Sequence, residues 1–217
     1  DLDAKPAQIG SRLITGDKFL DLVLSLLFDS SAVLNLPKLI YTASQGDYAL
    51  LGARVNERFG YDNTYSDGMQ LSTLCADELR FSSTATVAAA TTGLPPRLAE
   101  YFVADAPSWF DVCEFWGTGS LNELEKAAVT SDIPTLVLVG DFDAATPPEW
   151  ARSAATTLSK SQVAESTWLS HGLFTSDQLS GRCVSRLVDH FLDAPADKLD
   201  MACVKASDAL PRGFIAP

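Results

Sequence analysis

The chain has 217 residues, 47 % of them hydrophobic and 20 % charged, a globular balance that excludes collagen, coiled coil and wholesale disorder. Its net charge of −12 excludes nucleic acid as a partner, because phosphate binding requires a basic surface. A chain of this length forms one generous domain or two small ones and buries roughly 70 % of its unfolded surface.

The longest apolar run, Phe19 to Phe28, is broken by Asp21 and is too short to span a bilayer, so no membrane partner is expected. It reads as part of a helix from Gly16 to Phe28, with Leu20, Val23, Leu24 and Leu27 at helical spacing. Leu36 to Phe59 reads as mainly helical in the same way, through Leu39, Ala43, Leu50 and Leu51, with Pro37 suited to a first turn. Gly46-Asp47 punctuates that stretch and Gly60 closes it. No signal peptide is visible and the first residue is Asp1, so a processed chain or an excerpt is expected.

Phe59 to Gly68 is rich in Tyr, Asp, Asn and Gly and reads as an exposed loop. Met69 to Cys75 is a candidate short strand leading to Asp77 and Glu78. Arg80 to Thr92 is small and threonine-rich, compatible with helix or loop. Pro95-Pro96 fits a helix start. Asp105 to Trp116 then gathers Trp109, Phe110, Cys113, Phe115 and Trp116, either as a local core around a disulfide or with Trp109 and Trp116 lining a substrate cleft.

From Ser131 the pattern changes to strand, loop, helix, strand, loop, helix. Thr135 to Val139, bounded by Pro134 and Gly140, reads as a buried parallel strand. Asp141 and Asp143 follow in its loop, and Pro147-Pro148-Glu149 opens a helix with Ala151, Ala154, Ala155 and Leu158 on one face. A second strand, about Val163 to Leu169, leads into Ser170-His171-Gly172. The helix from Cys183 to Leu192 carries a stripe of Val184, Leu187, Val188, Phe191 and Leu192, and Pro195 closes it. The tail from Lys198 to Pro217 reads as irregular.

Cys75, Cys113, Cys183 and Cys203 lack metal-ligand spacing, and no metal or cofactor is expected. An even count points to two disulfides in an oxidising compartment, secreted or equivalent, with four buried thiols in a cytosolic protein as the plainer alternative. Cys75–Cys113 and Cys183–Cys203 are the sequential pairings among the three possible arrangements.

An acid after one parallel strand and a histidine after the next lie on the same sheet edge. Histidine as a residue type titrates near neutrality and suits a general base, and the loop setting of His171 favours it over His190, which lies inside the last helix. Asp143, later in the loop and just before Thr146-Pro147, is the better partner for the imidazole, whereas Asp141 stiffens the loop.

The strings G-D-F-D-A-A-T-P-P-E-W-A, S-H-G and R-C-V, with a late cysteine, resemble the C-terminal part of tripeptidyl-aminopeptidase-like α/β-hydrolases, relatives of the proline iminopeptidases. L-C-A-D-E at Leu74 to Glu78 and C-E-F-W at Cys113 to Trp116 are similar to that family's cap. The resemblance implies that Asp143 and His171 complete a serine triad acting on small peptide or ester substrates. It also makes Asp77 and Glu78 candidates for binding a substrate ammonium, a solvated acidic patch being the plainer reading.

A hydrolase of this type carries its serine at a G-x-S-x-G elbow, and this sequence contains none; Gly119-Ser120 has no strand before it. The expected architecture is therefore α/β: a mostly helical cap or lid over residues 1–130, then the C-terminal part of the hydrolase core over 131–217, with the N-terminal core strands outside this chain. The expected partner is the N-terminal half that carries the serine. The alternative is a non-catalytic binding or assembly module derived from the fold. An unrelated doubly wound binding domain is disfavoured by the lack of a glycine-rich phosphate loop.

Overall fold

The structure, a computed structural model, describes residues 2–60, 66–117, 123–174, 179–206 and 214. Gly119-Ser120 and residues 61–65 of the expected loop lie outside them. Two compact units result, one from residues 1–60 with 128–217 and one from 61–127. The helices of 1–60 thus gather with the strand-bearing C-terminal part rather than with the rest of the stretch read as a cap.

The first unit opens with a hairpin, β1 (Ala7–Ile9) and β2 (Arg12–Ile14), paired antiparallel. Its two-residue turn is Gly10-Ser11, and Gly10 takes φ 58°, the positive angle such a turn requires at its first position. Helix α1 (Gly16–Leu26) is capped by the Thr15 hydroxyl, which accepts from the Lys18 N–H. Its buried residues are Leu22 and Leu26; of the stripe expected on Leu20, Val23, Leu24 and Leu27, Val23 and Leu27 pack partly buried against the same core. Ile14, Leu51 and Val55 belong to that core as well.

Helix α2 (Ser30–Val33) begins at the Asp29 cap, α3 (Leu36–Ser44) buries Leu36, Leu39 and Ala43, and α4 (Gly52–Phe59) ends at Gly60. Leu51 in the intervening 3₁₀ turn is buried, while Leu50 faces solvent.

In the second unit, α5 (Asp67–Thr73) runs into a π turn, Leu74–Glu78. The strand expected over Met69 to Cys75 is therefore helical. Ser66 caps it by accepting from the Met69 N–H, and the Ser72 and Thr73 hydroxyls donate to the carbonyls four residues back. Helix α6 (Thr84–Ala90) is set by a capping box between Ser83 and Thr86, which decides the ambiguous threonine-rich stretch.

Helix α7 (Pro96–Trp116) spans 21 residues, and Cys113 near its end is bonded to Cys75 of the π turn. The aromatic residues beside that disulfide do not form a core. Trp109 and Trp116 are about two-fifths exposed and Phe115 is 88 % exposed.

Returning to the first unit, β3 (Thr135–Gly140) and β4 (Ser161–Ser166) pair in parallel from Thr135↔Ser161 to Gly140↔Ser166. The connection carries α8 (Pro148–Ala155), whose Arg152 is bidentate to Glu165 of β4, with Nε and Nη2 at 3.1 and 2.6 Å from the two carboxylate oxygens. Helix α9 (Leu179–Asp193) buries Cys183, Val184 and Leu187 against the sheet, but Leu192, expected on the same stripe, is exposed. The tail is not wholly irregular: α10 (Ala202–Ala206) brings Cys203 to Cys183, and Leu199 and Val204 join the core.

Both disulfides are consistent with an oxidising compartment. No described helix is long and apolar enough to cross a membrane. Among the described residues no group of His, Cys, Asp and Glu is placed to hold a metal ion.

Two measurements check this fold. Peptide mapping without reduction should join Cys75 to Cys113 and Cys183 to Cys203, and Cys203→Ser should cost about 3 kcal/mol of stability, as expected for a closed loop of that size. Gly140→Ala should be worse tolerated than any exposed substitution. Its Cβ would run into the Leu169 carbonyl oxygen and meet the Ser170 carbonyl oxygen at 2.6 Å. Since both are backbone atoms, urea unfolding should show a loss of at least about 2 kcal/mol.

Candidate active site

Parallel pairing in register sends the chain out of β3 and β4 at the same edge, Gly140 beside Ser166. The Asp141 N–H donates to the Ser166 carbonyl and the Phe142 N–H to the Leu169 carbonyl, so the two exit loops are tied backbone to backbone. Asp143 and His171 lie one and two residues beyond these ties. His171 Nδ1 stands 3.0 Å from Asp143 Oδ2 and 3.2 Å from Oδ1.

Asp143 is held by its own turn. Its Oδ1 accepts the N–H groups of Ala145 and Thr146 at 2.9 and 2.8 Å, and its Oδ2 accepts the Thr146 hydroxyl at 2.9 Å. This is an Asx turn extended by a threonine, and Pro147 then starts α8. The carboxylate is only 5 % exposed, whereas the imidazole is 49 % exposed. Burial alone would raise the Asp143 pKa. The hydrogen bonds from the Thr146 N–H, His171, the Thr146 hydroxyl and the Ala145 N–H outweigh it, and the carboxyl is held below its ordinary 3.8. A carboxylate ionised at neutral pH only accepts, so the proton between the two residues belongs on Nδ1 and leaves Nε2 the basic nitrogen.

Asp141 does what a loop stiffener should. Its Oδ1 accepts the Trp168 N–H at 2.7 Å. Trp168 is the one non-glycine residue with positive φ among those described, at 64°, a conformation costing roughly 1–2 kcal/mol. Its ring stacks on Phe142 with centroids 5.3 Å apart, and Phe214 packs edge-on to both. The strained residue therefore shapes the turn between β4 and His171.

Sequence reasoning missed four contributors. Thr146 is legible as D-x-x-T, a pattern that marks an Asx turn as well as a helix entry. Gly140 allows the backbone of Leu169 and Ser170 to pass directly over β3. Ser170 is fully buried, and Ser30, 5 % exposed, accepts its N–H at 2.8 Å. No local signal joins Ser30 to Ser170, since the two are 140 positions apart.

Of the other candidates, Asp77, Glu78, Trp109, Trp116, Cys75 and Cys113 belong to the second unit, and Cys183, His190 and Cys203 to the first. Asp77 and Glu78 are exposed at the π turn. The Trp109 indole N–H donates to Asp105 at 2.8 Å within α7, and that of Trp116 to Ser72 Oγ of α5 at 3.0 Å, while both rings stay partly exposed. The disulfide Cys75–Cys113 joins the π turn to α7, and Cys183–Cys203 closes α9 to α10. His190 is exposed on α9, 3.9 Å from Asp197.

Residues 99–203 match the family model described as TAP-like protein. No curated protein and no solved structure gives a significant match. The matched stretch contains β3, β4, the Asp143–His171 pair and all of α9, and ends on Cys203. Over residues 99–203 the chain thus resembles a TAP-like, α/β-hydrolase-related region.

Proposed function

We propose that this chain supplies the acid and the base of a serine hydrolase acting on peptide bonds, as an exo-aminopeptidase, or on esters. The observation that carries the reading is the Asp143–His171 pair, a buried carboxylate against the Nδ1 side of a half-exposed imidazole. In this chemistry a serine attacks the acyl carbon. His171 Nε2 takes the serine proton and returns it to the leaving group, and Asp143 holds the tautomer and stabilises the imidazolium that forms. Cleavage then ends with water displacing the enzyme from the acyl group by the same proton relay.

In this reading the serine belongs to an N-terminal half of the same hydrolase, because the 217 residues contain no G-x-S-x-G and a serine triad requires that elbow. The parallel sheet supports such a partner. Its two strands are the only ones in it among the described residues, and Thr135 to Leu138 remain half-buried although their sequence suits a strand covered on both faces. A secreted setting is in keeping with the two disulfides. Asp77 and Glu78 remain the proposed contacts for a substrate ammonium, and Trp109 and Trp116 for its side chains.

The native protein, isolated with whatever accompanies it and treated with a fluorophosphonate, should be labelled on a serine outside this chain. His171→Ala should cut labelling by on the order of 10⁴-fold and Asp143→Asn by a similar factor. Absence of labelling and of turnover on any acyl substrate would sink the proposal and leave a binding or assembly module.

The pH dependence of stability has a definite sign. A folded-state pKa of Asp143 below 3.8 means that its contribution is fully present above the unfolded carboxyl value and is lost as pH falls through the folded one. The stability gap between wild type and Asp143→Asn should therefore be constant from pH 7 to about 5. It should close only in acid below 3.8. A gap that closes near neutrality would contradict the hydrogen-bonded, ionised carboxylate.

A further inference from the structure

Ser170, next to the histidine, looks at first like a nucleophile, and its surroundings forbid it. The residue is fully buried, and its hydroxyl donates to the Leu27 carbonyl and lies 3.2 Å from the Phe142 carbonyl. A hydroxyl committed to main-chain carbonyls and shielded from solvent has no path to a substrate. The same contacts suit another task.

Three separate segments converge on this side chain. Leu27 ends α1, Phe142 lies between the two acids, and Ser170 precedes His171. The Ser170 N–H is taken by Ser30 Oγ at 2.8 Å, and Ser30 opens α2 and is itself buried. One residue further on, the Gly172 N–H reaches the Phe28 carbonyl at 3.4 Å. The Phe28 ring meets the imidazole edge-on with centroids 5.9 Å apart. His171 is thus bracketed on both sides along the chain by bonds to the corner 27–30, and one of its neighbours is bonded to the acid loop as well.

We propose that Ser170 and Ser30 are positioning residues for His171, a hydroxyl clamp through which the α1–α2 corner holds the imidazole at Asp143. The proposal rests on the catalytic reading only for its consequence; the clamp itself is a statement about geometry. Its logic is that a half-exposed imidazole has two soft side-chain torsions and one strong bond. Its backbone must therefore be fixed if Nδ1 is to stay within 3.2 Å of both carboxylate oxygens. The strand β4 ends at Ser166, five residues before His171, too far back to do this alone.

The test follows the Nδ1–H proton of His171 by NMR in the intact protein. Hydrogen bonding to a carboxylate moves this signal downfield, and its loss in Asp143→Asn assigns it. Ser30→Ala should remove or broaden the signal while the protein still unfolds cooperatively. Ser30→Thr, which keeps an Oγ acceptor, should restore it. Ser170→Ala should do the same as Ser30→Ala; should it fail to fold, Ser30→Ala decides, because it leaves both bonds of the Ser170 hydroxyl in place.

A signal unchanged in Ser30→Ala, with only the melting temperature lowered, overturns the proposal and makes the pair ordinary packing. In the labelling assay the clamp predicts a loss on the order of tenfold to a hundredfold for Ser30→Ala, recovered by Ser30→Thr. If no serine is labelled at all, the catalytic reading fails, and the proton signal still decides the clamp.

Discussion

Because β3 and β4 run parallel and in register to their last residues, their exit loops leave the sheet side by side, and everything chemical in this chain depends on that. Antiparallel strands would have put the acid and the histidine at opposite edges. The close passage of the Leu169–Ser170 backbone over Gly140 brings the second loop across the first instead of letting it splay outward. A side chain at position 140 would separate the loops by the size of a methyl group, and a hydrogen bond of 3.0 Å does not survive that displacement.

The acid is arranged to remain a pure acceptor. Four donors converge on two oxygens, and three of them come from the turn that the aspartate itself starts. The turn makes the site independent of His171 for most of its stabilisation, so the carboxylate is preorganised before a proton moves. Preorganisation is the part of electrostatic catalysis that a static structure can display, since no reorientation is then required when charge develops on the imidazole. The half-exposed ring on one side and the buried acid on the other also give the pair a direction. In the proposed mechanism the proton enters and leaves through Nε2.

Much of this was legible from local pattern. The strand ending at Gly140 was plain from five consecutive apolar or β-branched residues between a proline and a glycine, and the acid and histidine were plain from what followed each strand. The hairpin was not read, although Gly-Ser between short runs is a turn signal, because three-residue strands are below the length at which alternation is visible. Met69 to Ser72 alternates like the start of a strand. Its fate was decided by hydroxyls that bond back along a helix and by a disulfide to α7, neither of which has a periodicity. The aromatic residues at the end of α7 misled for a different reason. Composition shows that rings are close in sequence, but not that a 21-residue helix fans them around its circumference into solvent.

The helices of 1–60 show the same limit and its consequence. Amphipathic helices before a strand-rich part look like a separate layer, and reading them as part of a cap through residue 130 follows from that appearance. Their apolar stripes are self-contained, with Ile14, Leu22, Leu26, Leu51 and Val55 in one core, so no hydrophobic pattern announces that they touch the site. The contact is made by polar atoms at the one place where the helical path turns. There the carbonyls of Leu27 and Phe28 are left over at the end of α1, and Ser30 presents its hydroxyl at the start of α2. Helix ends expose backbone groups that must find partners, and here they find them in the histidine loop. Helix termini rather than helix faces connect this segment to the chemistry, and that is why its role emerges only in three dimensions.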